Sequence, residues 1–233
     1  GQGMEFVTER DTKLPILKVL YPSSPVLEEG HGKFIAEAKA GDIYNEITGS
    51  LYKGKEGVIV IPCLYINTFN EWKDRGDSPG RPVKIHTDPS ILAQTTRGDD
   101  SKDRLPSGNY VEKTASHFLI ICGQTQTTAL LAMKSTQLKI SRKWNSMMAS
   151  IKMKGKNGLF TPASFSHIYK LRTVQQSNDK GTWFGWEVSK VGPVEDSNLY
   201  QQAKAFAESV SRGDIKAKHG EPNGSEKTSE AHF

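Results

Sequence analysis

Between Glu112 and Asp179 the chain has no acidic residue. In those 66 positions it carries ten cations: Lys113, Lys134, Lys139, Arg142, Lys143, Lys152, Lys154, Lys156, Lys170 and Arg172. With 26 acids in 233 residues, about seven would be expected in a window of that length. A field of one sign over a quarter of a chain attracts a polyanion, and the absence of carboxylates removes the repulsion a phosphate backbone would meet. A solvated basic face that only aids solubility is the competing reading of such a run. The complete exclusion of acids favours nucleic acid, and the net charge of +5 agrees with it.

The aromatics fit the same chemistry. Single strands are held by aromatic platforms for bases and by cations for phosphates. Tyr65, Phe69 and Trp72 stand at the exit of one expected strand. Trp183, Phe184 and Trp186 crowd another, with Phe165, His167 and Tyr169 alternating on its expected partner. Alternation places Phe184, Trp186 and Val188 on one face, read as core. Trp183 falls on the opposite face with Gly185 and Glu187 and is the stacking candidate. On the partner strand, Lys170 and Arg172 share a face away from Tyr169 and Leu171. Core packing competes for every one of these aromatics. The candidate nucleic-acid-binding residues are therefore Trp183, Lys170, Arg172, Lys134, Lys139, Arg142, Lys143, Lys154, Lys156, Tyr65, Phe69 and Trp72.

Other chemistries find little support. No GxxxxGK[ST] loop and no GxSxG elbow occurs. No two of the six histidines stand three or four residues apart, and Cys63 and Cys122 form no CxxC pair. Asp99, Asp100 and Asp103 have carboxylates for a divalent cation, but their glycine- and lysine-bearing surroundings read as a solvated loop. The expectation is a binding protein rather than an enzyme, with no metal and no cofactor. No apolar run has the length of a membrane span. The polar opening reads as lacking a signal peptide, and Gly1-Gln2-Gly3 as a cloning scar.

Positioning these residues requires mainly strands. Residues 14–21, 57–66, 110–124, 126–134, 165–174 and 182–191 read as strands, with Pro62 marking a bulge or edge. Residues 28–40 read as a short helix. The i, i+4, i+7, i+8, i+11 spacing of Ile140, Trp144, Met147, Met148 and Ile151 predicts an amphipathic helix over 135–152. A second helix follows through Leu199, Ala203, Phe206 and Val210, capped by Asp196 or Ser197 and stopped by Gly213. Residues 70–109 read as a long loop, and 152–158 as a basic glycine loop. Two strands, a helix and a hairpin over 110–191 match the order in a five-stranded OB barrel. The fold class expected is mainly β: an OB-fold-like Greek-key barrel with an inserted helix, long loop excursions and a C-terminal helix. It occupies 14–212, between a flexible N-terminus (1–13) and a disordered polar tail (213–233).

The segments Lys143-Trp144-Asn145-Ser146, Phe160-Thr161-Pro162, Tyr169, and Asn178-Asp179-Lys180-Gly181-Thr182-Trp183 resemble bacteriophage single-stranded DNA-binding proteins. Gly192-Pro193, the helix after it and a polar tail ending in Phe233 extend the resemblance. It implies an OB-fold that coats single strands in replication and recombination in the cytoplasm of an infected cell. It also implies single-stranded DNA as ligand and replication proteins as partners of the C-terminal tail. A homodimer is compatible with it, and no membrane is involved. Here the tail is only modestly acidic, with Glu221, Glu226 and Glu230 against Lys227. The alternative class is a phage structural or RNA/duplex-binding protein with a basic β-domain.

Overall fold

The computed structural model describes residues 2–5, 13–74, 76, 81–179 and 181–215. Most of the N-terminal segment expected to be flexible, and nearly all of the expected polar tail, lie outside the described residues. In chain order the strands are β1 (Leu17–Val19), β2 (Ile43–Asn45), β3 (Leu51–Tyr52), β4 (Val58–Trp72), β5 (Lys84–His86), β6 (Thr96–Arg97), β7 (Asp103–Arg104), β8 (Tyr110–Cys122), β9 (Thr127–Lys134), β10 (Met153–Gly155), β11 (Gly158–Phe160), β12 (His167–Asn178) and β13 (Gly181–Pro193). The α-helices are α1 (Leu138–Ser150) and α2 (Ser197–Ser211).

Five strands carry the architecture in the order β9-β8-β4-β12-β13, all antiparallel, curled into a half-barrel. The mainly β class follows the expectation, and α1 falls between the third and fourth of these five strands in sequence, where an OB connectivity places its helix. The sheet does not close by pairing β9 with β13; α1 packs against both.

The central pair β4–β8 forms because both segments are rich in β-branched and aromatic residues that fit a pleated surface. Pro62 has no N–H to give the ladder. The register slips there: Pro62 opposes Leu119 and Leu64 opposes Phe118, leaving Cys63 as the bulged residue. The Ser164 hydroxyl donates to the Cys63 carbonyl at 2.9 Å and ties the bulge to the 3-10 turn Ser164–Ser166.

Alternation then builds two cores. One face of the sheet buries Val60, Leu119, Ile121, Leu131, Tyr169 and Leu171 with Trp144 of α1. The other buries Ile61, Phe118, Ile120 and Leu130 under Ala203, Phe206, Ala207 and Val210 of α2. Asp196 caps α2 by accepting from the N–H of Asn198 and Leu199 at 2.8 and 3.2 Å. The chain leaves that helix through Gly213 at φ +79°.

Three expectations are corrected. Residues 28–40 form turns rather than a helix, after a 3-10 turn at Pro25–Leu27, because Gly30 and Gly32 interrupt any helical repeat. The described residues of the 70–109 excursion are structured. β4 runs to Trp72, β5 pairs with it, β6 and β7 extend the sheet beyond β8, and Ile91 packs on Phe69 and Val111. Residues 153–160 form the β10–β11 hairpin rather than a loop.

Candidate nucleic-acid interface

α1 is entered through a 3-10 turn, Ser135–Gln137, and packs Trp144 into the core beside His117 and Tyr169. Burying that stripe turns Lys139, Arg142 and Lys143 to solvent on the opposite side. The chain then passes into β10–β11, where Lys154 and Lys156 are exposed. Lys170 stands on β12, half-buried. None of these six cations makes an ion pair among the described residues.

The other two predicted cations are engaged. Lys134 pairs with Glu112 at 2.8 Å and lies over the Trp72 ring, 5.2 Å from its centroid. Arg172 pairs with Glu187 at 2.5 Å across the β12–β13 register. Both acids lie outside the acid-free stretch, Glu112 immediately before it and Glu187 beyond its end.

The aromatics divide in the same way. Phe69 and Trp72 are buried, so their rings offer no face to a base. Trp186 is buried too, while Trp183 on the opposite face is half-buried. The Trp183 indole N–H donates to Gln176 Oε1 at 3.1 Å, its registered neighbour on β12. That bond fixes the ring's orientation on the outer face of the hairpin. Tyr65 is 37 % exposed and ends a column of rings. Its centroid lies 5.0 Å from His117, which stacks on Trp144 at 4.6 Å, which meets Tyr169 edge-on at 5.6 Å.

His117 is enclosed in this column. Burial pushes its pKa down to about 3, so the ring is neutral; its Nε2 lies 2.8 Å from the Ser141 hydroxyl. Burial likewise pushes the Cys63 thiol up to about 12, which removes it as a nucleophile near neutrality. Asp100 bonds Arg104 and Asp103 bonds Arg97, so these carboxylates of the acidic loop are engaged with arginines. Among the described residues, no three His, Cys, Asp or Glu side chains gather as metal ligands. No helix among them is long and apolar enough to cross a membrane.

Residues 1–216 match the Pam3 phage gp34-like protein family. The chain belongs to that family. It is therefore a phage protein, and the gp34-like match spans both cores, α1 and the β12–β13 hairpin. No curated protein and no solved structure matches the chain.

Sequence reasoning missed two features of this gp34-like surface. One is the β10–β11 hairpin, for which Asn157, a turn-favouring residue between Gly155 and Gly158, is the available signal. The other is the side chain of Gln137, which reaches β13 from 49 positions away and leaves no local signal.

Proposed function

We propose that the protein coats single-stranded DNA without strong sequence preference during phage DNA replication and recombination. The observation that supports this most is the row of cations without acidic partners from α1 through β10–β11, together with Lys170. Phosphates are the partners that such a row lacks. Trp183, held outward by Gln176, and Tyr65, at the open end of its ring column, supply faces on which any base can stack.

On this reading the protein is a binding protein rather than an enzyme and needs no metal or cofactor. It acts in the cytoplasm of the infected cell, and its C-terminal tail takes replication proteins as partners. The test is a titration of tryptophan fluorescence with single- and double-stranded oligonucleotides of equal length at two salt concentrations. Quenching and preference for the single strand, weakening with salt, are expected. Equal affinity for the duplex would overturn the single-strand reading. Salt-sensitive binding to any polyanion without quenching would point instead to a structural protein with a basic surface.

A further inference from the structure

Among the described residues, the β10–β11 hairpin joins no other strand. Met153 opposes Phe160, Lys154 opposes Leu159, and Gly155 opposes Gly158 around the turn at Lys156 and Asn157. Leu159 is 75 % exposed, Phe160 48 % and Met153 43 %. An isolated two-stranded hairpin is marginal in water, and one that leaves its apolar side chains uncovered gains little from burial. Alternation puts Met153 and Phe160 on one face of the hairpin and Lys154 with Leu159 on the other. Exposed apolar side chains among charges mark an interaction site, and the charges of this segment are all cationic: Lys152, Lys154 and Lys156, with no acid.

The base of the hairpin is fastened, since the Lys152 ammonium donates to the Thr161 hydroxyl at 2.5 Å. The Phe160 ring is also seated. A Cβ on Gly155 would stand 3.2 Å from its Cδ1 and Cε1, so one edge of the ring rests against the glycine while the side chain stays exposed. Charge decides what covers this surface. A second copy would bring like-charged lysines together around the apolar residues. A single-stranded nucleic acid brings phosphates to the lysines and unstacked bases to the apolar side chains.

We propose that β10–β11 is a base-engaging finger: Phe160 on one face and Leu159 on the other contact exposed base faces, and Lys154 and Lys156 take the flanking phosphates. This rests on the single-strand-binding reading above. The test compares binding of a labelled oligothymidylate with binding of an abasic sugar–phosphate strand of equal length, followed by fluorescence anisotropy on the full chain.

The double variant Leu159→Ala/Phe160→Ala should lose affinity for oligothymidylate on the order of tenfold, the scale of one or two lost stacks. It should bind the abasic strand like the parent and melt at the same temperature. Lys154→Ala/Lys156→Ala should lose affinity for both strands, with a salt slope shallower by about 1.4. If the apolar variant binds oligothymidylate like the parent, or weakens equally on both strands, the finger is overturned. A parent dimer that the apolar variant converts to monomer, with DNA affinity unchanged, would overturn it in favour of self-association. A parent that binds no oligonucleotide at any salt fails the underlying reading itself.

Discussion

Gln137 closes the outer edge of β13: its Oε1 accepts a hydrogen bond from the Trp186 backbone N–H at 2.9 Å. β13 pairs with β12 along its inner edge, and no strand covers the outer one among the described residues. An open edge is a template for pairing with another chain, and a side chain from the turn before α1 satisfies part of it. Gly185 makes the approach possible. A Cβ there would lie 2.8 Å from Gln137 Nε2 and 2.9 Å from the Gln176 amide, displacing both. Gln137→Ala should cost about 1 kcal/mol and raise self-association, read by urea unfolding and light scattering. Gly185→Ala should produce much of the same loss, and the double variant should be less than additive. Fully additive losses would show that the two residues act separately.

Trp183 and Trp186, three residues apart on β13, face opposite ways, and their substitutions should separate binding from stability. Trp183→Ala should weaken single-strand binding by ~1–3 kcal/mol and leave the unfolding midpoint nearly unchanged. Trp186→Ala removes a buried ring and should destabilise by ~3–5 kcal/mol. Oligonucleotide titration and urea unfolding of both variants check the pair. Loss of binding in a fully stable Trp186→Ala protein would contradict the arrangement.

The split between these tryptophans was legible in the sequence because strand alternation is a local property. So was α1, whose stripe survives as a buried Trp144 flanked by half-buried Ile140, Met147 and Met148. The Pro62 bulge was legible for the same reason, since a missing N–H acts where it stands. What stayed hidden depends on contacts distant in sequence. Phe69 and Trp72 read as candidate platforms, yet Ile91 covers Phe69 from the far side of an excursion that looked structureless. Arg172 read as a free cation until the register set it opposite Glu187. Composition counted the cations of the acid-free stretch. Only pairing distinguishes those with carboxylate partners from those without.

That distinction predicts unequal contributions to the salt dependence. Each phosphate neutralised on a single strand contributes roughly −0.7 to the slope of log affinity against log salt. Lys139→Ala, Arg142→Ala and Lys143→Ala together should flatten the slope by about 2. Lys170→Ala should act in the same direction, while Arg172→Ala should change it less, because Arg172 must first leave Glu187. Salt titrations of the three proteins provide the comparison. An Arg172→Ala effect as large as that of the α1 triple variant would mean that DNA displaces the ion pair.

The buried imidazole of His117 makes a prediction about acid. In the unfolded chain it takes up a proton near pH 6.5; in the folded protein burial keeps it neutral down to about pH 3. Between those values the unfolded state binds more protons, so stability falls as the pH falls. From pH 6.5 to 5 the contribution is about 2 kcal/mol. Glu71 acts differently. The hydrogen bond from Asn109, aided by His86, holds its carboxyl below the usual range, so the stability it adds is lost only at lower pH. His117→Phe gives up the Ser141 contact and should be less stable at pH 7, yet it should lose less stability than the parent between pH 7 and 5. Urea midpoints at the two pH values test this. Burial and Lys190 also lower the pKa of His167, but that residue is present in both proteins and cancels in the difference. Equal acid losses in parent and variant would place the sensitivity outside the Tyr65–His117–Trp144 column.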